Sequence, residues 1–135
     1  MPAGFTSLGL VYFGAVKLAG YTAAAVFLRR RYPDCQTPPI IPGAVRTAIG
    51  FAAGIGAVSL AGVLGASRSE ALFYLLLVPI RIVEWLTLLW LFYRKPKWDL
   101  GRATRFAALG TLWSFVLDLP AVLAMFSIPG GAWIC

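Results

Sequence analysis

Residues 71–93 read ALFYLLLVPIRIVEWLTLLWLFY, and only Arg81 and Glu84 carry charge in that stretch. A bilayer span needs about 20 consecutive mostly apolar residues, so this segment is read as a membrane-crossing helix. Its flanks are abrupt. The short polar run Ala66-Ser67-Arg68-Ser69-Glu70 precedes it, and the basic run Arg94-Lys95-Pro96-Lys97-Trp98-Asp99-Leu100-Gly101-Arg102 follows.

The same pattern recurs along the chain. An apolar stretch from about Phe5 to Leu28 stops at Arg29-Arg30-Arg31; it lacks the basic start and cleavage signal of a secretion leader and is read as a retained helix. The proline-rich segment from Tyr32 to Gly43 cannot continue it, because proline lacks the amide donor and restricts the residue before it. Further helices are expected from about Ala44 to Gly65 and from about Ala103 to Ser127, where Pro129-Gly130-Gly131 ends the last one. The expected fold is all-α: one transmembrane domain over residues 1–135, built as an integral membrane bundle of four helices.

Composition agrees with that reading. Of 135 residues, 60% are hydrophobic and 13% charged, against about 25% charged in soluble domains. Four spans use nearly the whole length, which leaves no room for a water-soluble domain or an α/β nucleotide-binding unit. The net charge of +7 would suggest nucleic acid in a soluble protein, but most of the cations fall in two connections. Arg29, Arg30, Arg31 and Arg46 surround the first loop, Arg68 is alone in the second, and Arg94, Lys95, Lys97, Arg102 and Arg105 surround the third. The positive-inside rule then puts the first and third loops in the cytoplasm and both termini outside, in the inner membrane. Those cations face anionic lipid headgroups, with membrane lipid and not nucleic acid as the partner.

There is no histidine, and the cysteines, Cys35 and Cys135, have no metal-ligand spacing. No metal or other cofactor is expected. This topology puts the two thiols on opposite sides of the membrane, as free cysteines.

Four ionisable residues remain inside the spans. By helical rise, Lys17 lies about 18 Å above Arg29, Arg81 about 20 Å and Glu84 about 15 Å above Arg94, and Asp118 about 20 Å above Arg105. They share one layer near the midplane. Each unpaired charge at that depth costs about 2.5–3.5 kcal/mol on insertion scales, so they are expected to pair or to line water. Arg81 and Glu84 stand three apart on one helix face and are read as an intrahelical pair, with Lys17 and Asp118 as partners across the bundle. Pro79 and Pro120 flank this layer and free backbone carbonyls one turn earlier. Gly50 and Gly54 form a GxxxG pair that lets helix two approach Gly14 and Gly20 of helix one, or a second copy of the chain.

Laying helix one on helix three matches Lys17 with Arg81 and Tyr21 with Trp85, which makes a parallel two-helix internal repeat a candidate. Glu84 and Asp118 have no acidic counterpart in the first half. Three functions follow. The first is a small oligomeric transport or channel protein with Lys17, Arg81, Glu84 and Asp118 as an ion or substrate site. The second is an accessory subunit of a larger membrane complex, in which the same charges hold helices together. The third is a lipid-modifying enzyme. It is disfavoured because no histidine activates a nucleophile and because the carboxylates lie about 15–20 Å from the surface cations.

Overall fold

The computed structural model describes residues 7–63, 70–94 and 98–125. It is all-helical in the order α1 (Ser7–Arg31), α2 (Ile40–Val63), α3 (Glu70–Tyr93) and α4 (Leu100–Met125). Successive helices touch and α1 also meets α4, so the four close into a ring. Among the described residues, three helical segments are long and apolar enough to cross a membrane: Val11–Arg31, Ile40–Ala57 and Leu75–Tyr93.

The helix ends have local causes. α2 begins at Ile40, four residues before the expected start, because Pro42 falls in the first turn. A proline there forfeits no intrahelical bond, and Pro38 and Pro39 accept the Ile41 and Gly43 amides. At the start of α4, the Asp99 carboxylate accepts the Arg102 amide at 3.2 Å, an N-terminal cap absorbing a donor the helix leaves over. Pro79 and Pro120 stand inside α3 and α4.

Close approach occurs at Gly43, Gly20 and Gly110. A methyl on Gly43 would run into the backbone of Thr22 on α1, one on Gly20 into Leu117 of α4, and one on Gly110 into the indole of Trp85. Gly14 meets only Phe51, at ordinary contact distance, and the space beside Gly50 holds the Arg46 guanidinium 3.2 Å from where a methyl would sit. Gly54 is buried. Gly20 therefore closes α1 on α4 and not on α2.

The core reverses the usual distribution. Tyr21, Trp85, Leu88, Leu89 and Ala107 form its apolar part, while Lys17, Arg46, Arg81, Glu84 and Asp118 are buried beside them. Outward faces of all four helices carry large apolar side chains, among them Val11, Ile55, Val83 and Leu112, each more than 60% exposed. Apolar surface of that extent belongs against lipid or a partner.

Candidate functional site

The buried polar residues stack in two layers one helical turn apart, about 5.4 Å. In the distal layer, farther from the basic helix ends, α1 contributes Lys17, α3 Arg81 and α4 Asp118. Lys17 Nζ pairs with Asp118 Oδ1, and Arg81 Nη2 meets Asp118 Oδ2 at 2.6 Å. One carboxylate thus holds two cations, with the Arg81 guanidinium 4.4 Å from the Phe115 ring centroid.

In the basal layer, Arg46 of α2 pairs with Glu84 of α3, Nη2 to Oε2 at 2.6 Å. Its guanidinium lies over two rings that pack edge to face on each other, 4.8 Å from the Tyr21 centroid and 5.2 Å from that of Trp85. Ser114 of α4 is the hub. Its hydroxyl donates to the Gly110 carbonyl at 2.9 Å and is approached by Trp85 Nε1 at 3.0 Å, Tyr21 hydroxyl at 3.3 Å and Arg46 Nη2 at 3.4 Å. A serine oxygen has two lone pairs, so three donors compete for two acceptor positions. Spacing of four residues on α1 (Lys17, Tyr21) and on α4 (Ser114, Asp118) puts each pair on one stripe and stacks the layers.

Three of the sequence-derived positions change. Arg46 is not at the headgroups: it is 1% exposed and belongs to the basal layer. The expected helix start at Ala44 put it at a mouth; the start at Ile40 sets it in the second turn, from which its long side chain reaches Glu84. Arg81 and Glu84 do not pair with each other, since each finds a partner on another helix. Lys17 and Asp118 do meet across the bundle. Tyr21, Trp85 and Ser114 were missed as site residues. Alignment of Tyr21 with Trp85 was the available signal, because the residues matched between helices one and three converge in pairs, Lys17 with Arg81 on Asp118 and Tyr21 with Trp85 on Ser114.

The charges do not balance inside this group: Lys17, Arg46 and Arg81 face Glu84 and Asp118. Arg46 Nε, Arg46 Nη1 and Arg81 Nη1 are buried without a hydrogen-bond acceptor among the described residues. A small pocket of about 10 Å³ lies nearby, lined by Phe13, Lys17, Tyr21, Thr47, Gly50 and Phe51, of which Gly50 is the residue beside Arg46 Nη1. One water-sized species needs at least about 10–15 Å³, so the pocket is at the lower limit for one. On the other side, Glu84 floors an open groove between α2 and α3 with Ile49, Ala53 and Val83.

The remaining cations are at the basic ends of the helices. Arg29, Arg30, Arg31, Arg94, Arg102 and Arg105 are exposed, while Lys95 and Lys97 lie outside the described residues. Arg102 donates to the Arg31 carbonyl at 2.5 Å and stacks 4.4 Å from the Tyr32 centroid. Burial pushes the Tyr32 hydroxyl above its ordinary pKa, with Arg102 opposing. Cys35 is a buried free thiol; Cys135 lies outside the described residues. No protein-family model, curated protein or solved structure matches the chain.

Proposed function

We propose that this chain is a multi-pass inner-membrane protein with α4 as a fourth span and both termini outside, which binds a small anion at the two-layer charge site and passes it across the bilayer as an oligomer. The observation that carries this reading is, among the described residues, the cation excess, three buried cations on two carboxylates, together with guanidinium donors left without acceptors. A buried donor without a partner costs about 1–3 kcal/mol, more when charged. An anion of about water size beside Gly50 relieves that cost and cancels the surplus charge. The apolar outer face of α4, including Leu109, Leu112 and Leu119, supports its immersion. A void of that size makes no pathway in one copy, and the groove leading to Glu84 is where a second copy would complete one.

The accessory-subunit reading has one observation in its favour: both carboxylates are already ion-paired, as expected for charges that fix helix register. Glue alone leaves the orphan donors unexplained. Anion and cation efflux from proteoliposomes separates the two. Transport predicts efflux of small anions, lost in Arg46→Gln while the variant keeps its helical circular dichroism. Efflux no greater than from protein-free liposomes, or unchanged in Arg46→Gln, would overturn it and favour the subunit.

A further inference from the structure

We propose a second site, beside the charge layers and sharing Trp85 with the basal one: the seam between α1 and α4 binds one anionic phospholipid, with an acyl chain in an apolar groove and the phosphate over an arginine cluster at its mouth. The groove, about 290 Å³, runs between Ala23 and Phe27 of α1 and Leu109, Gly110 and Trp113 of α4. Below it lies a hollow of about 550 Å³ lined by Arg31, Asp99, Arg102 and Arg105. Phe106 and Leu109 line both, so the two adjoin along α4. Together they fall in the size range of ligand sites, about 300–1,000 Å³.

The seam is tied at both ends and open between. Trp113 Nε1 donates to the Gly20 carbonyl at 3.0 Å at the deep end, and Arg102 to the Arg31 carbonyl at 2.5 Å at the mouth. Small residues at Ala23 and Ala24 leave space between the ties, and the Trp85 indole packed on Gly110 also lines it. From Arg105 to Trp113 the helix rises about 12 Å, a depth suited to the upper part of an acyl chain.

Charge selects the headgroup. Three guanidinium groups face one carboxylate, and that carboxylate already accepts the Arg102 amide as the α4 cap. Guanidinium matches phosphate oxygens in bidentate geometry. A zwitterionic headgroup would bring its own cation into this cluster, whereas a phosphatidylglycerol-type headgroup would not.

The test is native mass spectrometry of the full chain in detergent, titrated with phosphatidylglycerol, with phosphatidylcholine of identical chains, and with inorganic phosphate. Phosphatidylglycerol should be retained at least about fivefold better than phosphatidylcholine, and Arg31→Gln and Arg105→Gln should each reduce its retention about fivefold while leaving phosphatidylcholine unaffected. Ala23→Phe, which fills the groove, should weaken both lipids. Equal retention of the two lipids, an undiminished preference in the double arginine variant, or displacement of phosphatidylglycerol by millimolar inorganic phosphate would overturn the proposal.

Discussion

The distal and basal layers solve the problem of a buried arginine in different ways. In the distal layer a single carboxylate, Asp118, holds both Lys17 and Arg81, with Phe13 and Tyr21 near Lys17 and Phe115 against Arg81, so two cations with aromatic neighbours share one anion. In the basal layer Arg46 has a carboxylate of its own, two aromatic rings and the Ser114 hydroxyl, so its support is spread over three other helices. The first arrangement shares one anion between two cations; the second gives its cation an anion of its own and is in that sense redundant. Yet it is redundant Arg46 that keeps two nitrogens without acceptors among the described residues. Nη2 is taken by Glu84 and Ser114, while Nη1 lies beside Gly50, which lines the small pocket, and this is why ligand binding is assigned there.

That contrast sets the order of expected effects. Asp118→Asn should be the most damaging change, because it leaves two buried cations without their anion; about 3–5 kcal/mol of stability is expected to go, measured by denaturant unfolding in detergent micelles. Glu84→Gln should cost less, about 2–3 kcal/mol, since an amide can still accept from Arg46 and the rings and Ser114 remain. Equal losses for the two would break the distinction between the layers. Gly110→Ala drives a methyl into Trp85, and overpacking of that kind costs about 1–3 kcal/mol. By contrast, Gly56→Ala meets nothing within 4 Å and should gain up to about 1 kcal/mol from helix propensity. Ser114→Ala removes one acceptor from a crowded hub and should cost about 1 kcal/mol, seen most directly as a shift of Trp85 fluorescence.

Much of this was legible from residues alone, for identifiable reasons. The helices were readable because apolar runs of membrane length have few other outcomes, and Lys17, Arg81, Glu84 and Asp118 stood out because so little else in the spans is charged. Three things were not legible. Arg46 was hidden by a proline that reads as a stop but is tolerated in a first turn. The partners of Arg81 and Glu84 were misassigned because spacing along one helix says which residues share a face and not how far a long side chain reaches toward the next helix. Glycine spacing at Gly50 and Gly54 suggested a close helix contact, but the side chain that fills the gap at Gly50 comes from its own helix, one turn earlier. Only the tertiary structure shows that Gly43, Gly20 and Gly110 are where the chain approaches itself.

The most direct test of the account is the melting temperature of the detergent-solubilised protein at constant ionic strength, as gluconate is replaced by chloride or fluoride. An anion that binds the native state raises it by mass action, and gluconate is too large for a void of about 10 Å³. A rise with the small anions in the wild type, absent in Arg46→Gln and retained in Arg105→Gln, is the predicted result. A melting temperature that does not change between gluconate and the small anions would contradict the anion site.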